Sequence, residues 1–384
     1  MKTQTPSLWL LGALLMFPQI AETIYSPALP NLAEDFGVSF DTASLTLSVY
    51  FSAFAVGVVV WGRLADTLGR RTAMLIGLAT YAMGSVLAML AADFHVVLLA
   101  RVISAFGAAT GSVVGQTMLR DSYEGAELGR VFSIMGMATA VSPVIGLILG
   151  SVVTTYSGYL GVFTTLLGLA VVLLVGSTFS LTETKPVHTR RVSLASVCRA
   201  MLRDGSIWKN AVLVAAFNLM LFGYYAIAPF TFKQLGLSSI EFGYTGIVLA
   251  LGSFAGSMIN KSLLKRGFET NTLVSGSSAL AVLCSAGVGS LQGSYLLVLP
   301  MMGIVVAYGI AIPNILGQAL VNYRQYAGSA GALFGLMYYL MLGVSLGIAG
   351  IFQSLGGTLF TASLVTLLFV LPTTKKHQTS ATNT

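Results

Sequence analysis

The chain has 384 residues, 55% of them hydrophobic and only 9% charged, with a mean hydropathy of +0.85. Soluble domains carry about 25% charged residues, so the composition excludes a soluble multidomain protein, a disordered chain and a nucleic-acid binder. The net charge of +7 and the 42 glycines fit many membrane helices instead, where Gly is frequent and basic loops gather on one side. Cys198 falls in a polar loop and Cys284 in an apolar segment, so no disulfide framework is expected.

A helix needs about 20 apolar residues to cross the hydrocarbon core. Such runs, bounded by polar or Gly/Pro turns, predict an all-α integral membrane protein of twelve spans: 7–29, 42–62, 72–92, 95–118, 130–153, 159–181, 209–230, 241–260, 272–291, 295–319, 328–352 and 355–372. The first run is too long for a signal peptide and has no small-residue cleavage site before Glu22, so it reads as a retained helix. The long polar gap 182–208 divides the chain into two six-helix halves, 1–181 and 209–372. Within that linker, residues 193–204 can form a short amphipathic helix on the membrane surface, and 373–384 is a polar tail.

Lys and Arg sort by side. Of the 20, 18 lie at the termini or in loops after even-numbered spans, leaving Lys233 in the opposite loops and Arg101 within a span. The positive-inside rule then puts both termini in the cytoplasm. With the acidic residues sorted likewise, the basic side carries +11, the other side −4, and the membrane a neutral pair, Glu22 and Arg101.

An ionised side chain at a helix centre costs about 2.5–3.5 kcal/mol on insertion scales, which makes both residues functional-site candidates. Glu22 stands eight residues before Pro30 in an outward-running span, and Arg101 eight after Asp93 in an inward-running one. At about 1.5 Å rise per residue they reach similar depth. The two either form an ion pair that only holds helices together, or Glu22 is a titratable carboxylate in a cavity. In the second case Arg101 tunes its charge state, as proton coupling requires.

The loop between spans two and three reads Gly62-Arg63-Leu64-Ala65-Asp66-Thr67-Leu68-Gly69-Arg70-Arg71. Gly62 and Gly69 allow a tight turn and close helix approach, Asp66 can cap or pair at a helix end, and Arg70 and Arg71 supply donors. A basic turn that merely fixes topology would carry similar charges. The order of these residues resembles the signature loop of the major facilitator superfamily, G-x-L-a-D-x-x-G-R-r. Other stretches are similar to its Bcr/CflA drug-resistance branch, particularly EmrD-type multidrug transporters. They are Gln19 to Pro30 at the end of span one, Arg120-Asp121 with Tyr123-Glu124 after span four, and Thr182 to Pro186 after span six. Ser142-Pro143-Val144-Ile145-Gly146 resembles the antiporter motif of span five, and Gly328 to Ala332 the opening of span eleven.

The chain also departs from these patterns. Its span-four motif, Arg101 to Ala109, lacks the family's Gln and first Gly, and Ser142 and Leu147 replace glycines of the antiporter motif. Glu22 matches neither the Bcr-like nor the EmrD-like pattern. Gly256 to Asn260 weakly repeats Gly62 to Asp66 with the charge lost at Asn260, so any charged gate is expected to be asymmetric.

The resemblance implies two pseudo-symmetric six-helix bundles, spans one, four, seven and ten around a central cavity, and proton-coupled export by alternating access. In those spans and the ones beside them stand Gln19, Tyr25, Tyr50, Phe54, Gln116, Asn218, Tyr225, Asn314, Gln318, Tyr338 and Tyr339. Amides are costly against lipid and aromatic faces suit lipophilic ligands, although ordinary helix packing accounts for part of the set. Tyr224 and Tyr225 project about 100° apart, so one at most faces the cavity centre. The expected partners are protons, the lipid bilayer and small lipophilic drugs, cationic or neutral. The expected setting is a bacterial inner membrane, with the chain a monomer and no nucleic acid, metal or cofactor. Neither a Walker sequence nor a His/Cys/Glu cluster occurs, so direct ATP drive and enzyme activity are not expected. An exporter of one metabolite, such as a siderophore or sugar, and a non-transporting membrane sensor or scaffold are the alternatives.

Overall fold

The computed structural model describes residues 6–186 and 194–370, and among them there are helices and turns but no strand. The helices are α1 (Leu8–Thr23), α2 (Leu29–Asp35), α3 (Phe40–Leu68), α4 (Arg70–Met89), α5 (Phe94–Ser122), α6 (Gly125–Ser180), α7 (Leu194–Arg203), α8 (Gly205–Gln234), α9 (Ser239–Lys265), α10 (Thr270–Ser290), α11 (Val298–Ala319), α12 (Ala327–Phe352) and α13 (Leu355–Val370). In hydrocarbon a helix is the open-ended element that bonds all its backbone groups within its own segment.

Among the described residues, ten helical stretches are long and apolar enough to cross a membrane. One of them, α6, has 56 residues, far more than the ~20 that a bilayer core accommodates. It turns back at Gly158, whose φ of 59° and ψ of −159° belong to a backbone region that glycine alone adopts without strain. Thus α6 supplies spans five and six, and the shorter apolar α13 supplies the twelfth.

Several helices outrun the apolar segments that predict them. Span one, expected to end at 29, stops as an α-helix at Thr23, passes through a tight turn at Ser26–Ala28 and continues as α2 to Asp35. Pro27 and Pro30 lack the N–H that an unbroken ladder needs. The helices α3 and α5 run on to Leu68 and Ser122, because backbone hydrogen bonding continues past the point where hydropathy falls. The amphipathic segment of the linker is the helix α7, which buries Val197 and Met201 and packs on α8 and α12. Residues 187–193 of the linker and the tail 373–384 lie outside the described residues.

The helices α1, α3, α4, α5 and α6 pack among themselves, as do α8 to α13, and the pairs α3 with α12 and α6 with α9 join the two sets. Small residues set these separations, as expected where lipid supplies no hydrophobic drive between helices. Gly150 of α6 lies against the Ile24 backbone, and Gly256 of α9 lies against Gly309 of α11. Away from the basic loops the two sets touch directly. There Ser26 Oγ donates to the Tyr225 carbonyl at 2.5 Å, Phe40 stacks on Phe230 at 4.5 Å, and Lys233 pairs with Glu34.

Candidate intramembrane site

Gln19, Glu22 and Tyr25 follow one another at single-turn spacing, so they share one side of the first span. Glu22 is 2% exposed and Arg101 of α5 is fully buried. No ion pair joins them among the described residues, although they remain within coulombic reach. The Arg101 guanidinium instead lies 4.1 Å from the ring centroid of Tyr25 and 4.2 Å from that of Tyr50. A planar, weakly hydrated guanidinium stacks well on aromatic faces, and a desolvated contact of this kind contributes ~2 kcal/mol. Among the described residues, Nε and both terminal nitrogens of Arg101 lack hydrogen-bond partners, as do Glu22 Oε1 and the Tyr50 hydroxyl. The direct ion pair, one of the two arrangements that the sequence leaves open, is not formed, and Glu22 lines neither of the two cavities beside the first span.

Two adjoining cavities lie beside the first span. One, of about 490 Å³, is lined by Gln19, Thr139, Pro143, Tyr225, Ser253, Ser257 and Tyr308 among others. The other, of about 120 Å³, shares Gln19, Pro143, Tyr225 and Tyr308 and adds Asn218, Phe222, Tyr338 and Tyr339. Tyr308 donates from its hydroxyl to Asn218 Oδ1 at 3.2 Å. Glu22 lies within electrostatic reach of Tyr225, Tyr308, Tyr338 and Tyr339 on the cavity wall. A larger cavity of about 620 Å³ between α8, α12 and α13 is lined by residues such as Leu219, Met341 and Thr358, none of them ionisable. It offers no proton chemistry, so the smaller pair, which Glu22 does not line but whose tyrosines lie within its electrostatic reach, is the candidate site.

Of the sequence-derived set, Gln19, Pro143, Asn218, Tyr225, Tyr338 and Tyr339 gather around these cavities. Tyr25 and Tyr50 meet Arg101 instead, and Phe54 packs on Tyr50 and Tyr339 at centroid distances of 6.3 and 5.0 Å. Tyr224 turns away to stack on Phe242 at 5.8 Å. Asn314 donates to Asn260 Oδ1 at 2.7 Å between α11 and α9, while Gln116 and Gln318 are exposed and line neither cavity. Gly146 packs against Thr23 and the backbone of Ile20. Tyr308 and Tyr81 are absent from that set. A tyrosine five residues before Pro313 in span ten is the signal that points to Tyr308.

At the basic end, the signature loop meets two other motifs. The buried Arg70 guanidinium contacts Asp66 Oδ1 at 2.5 Å and Asp121 Oδ2 at 2.8 Å. Glu183 accepts from the backbone N–H groups of Arg70 and Arg71 at 2.8 and 3.2 Å, placing an anion at the positive end of α4. Gly69, with φ +97°, immediately precedes that helix, and a Cβ there would strike the Glu183 carboxylate. Arg71 donates to the Thr178 carbonyl at 2.6 Å and Lys185 to that of Thr67 at 3.0 Å. Gly62 lies against Val113, where α3 passes α5.

The family model described as Major Facilitator Superfamily matches residues 10–348. An uncharacterised transporter of Rickettsia bellii is 33% identical over 87% of each chain. Multidrug resistance protein D of Escherichia coli is 26% identical over 95% of this chain and 94% of its own. A chloramphenicol resistance protein of Pseudomonas aeruginosa is 28% identical over 89% of this chain and 82% of its own. Because the family match runs through spans one to eleven rather than through the loop alone, the chain belongs to the Major Facilitator Superfamily.

Proposed function

We propose that the chain is a proton-coupled multidrug exporter that moves lipophilic compounds out of the cytoplasm by alternating access. The observation behind this is Glu22: a buried carboxylate with an oxygen free of hydrogen bonds, one helical turn from Gln19 on the wall of two adjoining cavities. Relatives named for multidrug and chloramphenicol resistance support it. The basic loops and both termini face the cytoplasm of a bacterial cell, and the cavities load from that side. Among the described residues lining them are hydroxyls, amides and aromatic faces but no ionised group. That lining suits neutral compounds and delocalised cations of varied shape.

Residues 1–181 and 209–372 act as two bodies that rock about the site, joined by the linker 182–208. Substrate binds while Glu22 is ionised and its charge is balanced by Arg101. Rocking exposes the site to the outside, a proton neutralises Glu22, and substrate leaves. The protonated carboxyl returns inward and releases its proton to the cytoplasm, a movement of charge favourable by about 2.3 kcal/mol per 100 mV. Asp66, Arg70 and Arg71 lock the cytoplasmic side, with Arg70 paired to Asp66 and Asp121.

Drug transport by protein reconstituted in liposomes, with and without an imposed pH gradient, tests the proposal. The gradient drives transport in the unaltered protein. Glu22→Gln abolishes that drive while drug binding persists, and undiminished gradient-driven transport by Glu22→Gln overturns the assignment.

A further inference from the structure

On the reading of Glu22 as proton carrier, we propose that Tyr25 and Tyr50 are positioning residues for the proton step. Their ring faces hold the Arg101 guanidinium and so keep it from locking Glu22 into a permanent ion pair. The guanidinium carbon lies 4.1 and 4.2 Å from the two ring centroids. All three Arg101 nitrogens and Glu22 Oε1 are without hydrogen-bond partners although both residues are buried. The company of this cation is therefore aromatic rather than anionic. The guanidinium carbon lies over both rings rather than at their hydroxyls, so these residues act on Arg101 through their faces.

The clamp draws on two helices and on the turn that follows α1. Tyr25 stands one turn beyond Glu22 in the first span, Tyr50 comes from α3, and Arg101 from α5. The titratable groups within electrostatic reach of Glu22 are Arg101 from α5, Tyr50 from α3, Tyr81 from α4, Tyr225 from α8, Tyr308 from α11, and Tyr338 and Tyr339 from α12. Tyrosines carry no charge near neutral pH, so among these groups Arg101 alone competes with a proton for the carboxylate. With its rings removed, the guanidinium has Glu22 as its nearest anion, and a charge-assisted, bidentate pair forms. Such a pair resists protonation.

The readout is drug-driven proton release by the purified full-length protein, followed with an indicator dye across the neutral pH range. Tyr25→Phe and Tyr50→Phe keep the ring and leave the midpoint of the pH profile in place. Tyr25→Leu and Tyr50→Leu move it to lower pH by about one unit or more. A trifluorinated phenylalanine at position 50 has the shape of Phe but a depleted ring face. It moves the midpoint in the same direction, which separates loss of the clamp from a packing or folding defect. In an Arg101→Gln background none of these changes shifts the profile further. If Glu22→Gln still releases protons, the underlying assignment of the carrier fails. If Glu22→Gln is silent but the leucine and fluorinated variants keep the original midpoint, the clamp alone is overturned. A shift caused by the Phe variants also overturns it, because the hydroxyls would then be what matters.

Discussion

Buried polar side chains in this protein solve the same desolvation problem in different ways. Arg101 settles on two tyrosine rings and leaves a carboxylate oxygen of Glu22 uncommitted, which suits the proton exchange proposed for that carboxylate. Asn260 and Asn314 instead satisfy each other, the Asn314 amide donating to Asn260 Oδ1 at 2.7 Å and to the Ile310 carbonyl at 2.8 Å. A side-chain amide left alone at this depth pays its full desolvation cost. Asn314→Leu is therefore expected to destabilise the protein by about 1–3 kcal/mol, seen as a lower thermal midpoint in detergent. The double replacement Asn260→Leu with Asn314→Leu recovers most of that loss, because no orphaned group remains. The sequence aligns Asn260 with Asp66, but nothing in it names Asn314 as the partner.

The helix α4 shows how one element depends on a residue far along the chain. Its first two N–H groups are capped by Glu183, which follows span six, and its first residue is preceded by Gly69 in a conformation closed to other residues. An anion at a helix start relieves unsatisfied donors and meets the positive end of the dipole. Glu183→Ala should cost about 0.5–2 kcal/mol and Gly69→Ala about 1–3 kcal/mol. Both should raise amide hydrogen exchange at the beginning of α4 before exchange rises elsewhere. Equal protection in the variants and the unaltered protein would count against this account. The signature loop and the Thr182 to Pro186 stretch are each readable from sequence. Their meeting is not, since more than a hundred residues separate them.

Seen as one body, the molecule is joined along α3 with α12 and along α6 with α9, and it is held together away from the basic loops by Ser26 with Tyr225, Phe40 with Phe230 and Glu34 with Lys233. The ion pair is partly exposed and contributes little. The stacked rings contribute about 0.5–1.5 kcal/mol beyond their burial. On the proposed rocking cycle, Phe40→Ala loosens this end and shifts the population towards the state open on that side, by roughly two- to tenfold. Spin-label distances across that face, one label on each set of helices, report the shift. An unchanged distance distribution would mean that the seams α3 with α12 and α6 with α9 set the balance instead.

Spans, their approximate ends and the sidedness of the charges are legible in the sequence because insertion into hydrocarbon is a transfer free energy that each segment carries locally. The same reasoning isolates Glu22 and Arg101, since a charge in an apolar run is conspicuous without any knowledge of its neighbours. Which groups meet depends on the rotation of each helix about its axis and on shifts of a few ångströms along it, and an almost uniformly apolar helix encodes neither. That is why Tyr25 and Tyr50 reach Arg101 instead of the cavities, why Tyr308 joins the wall with Asn218, and why Gln116 and Gln318 do not. It is also why the charges within the membrane, complementary on paper, form no ion pair in the folded protein, where Arg101 lies on two aromatic rings instead.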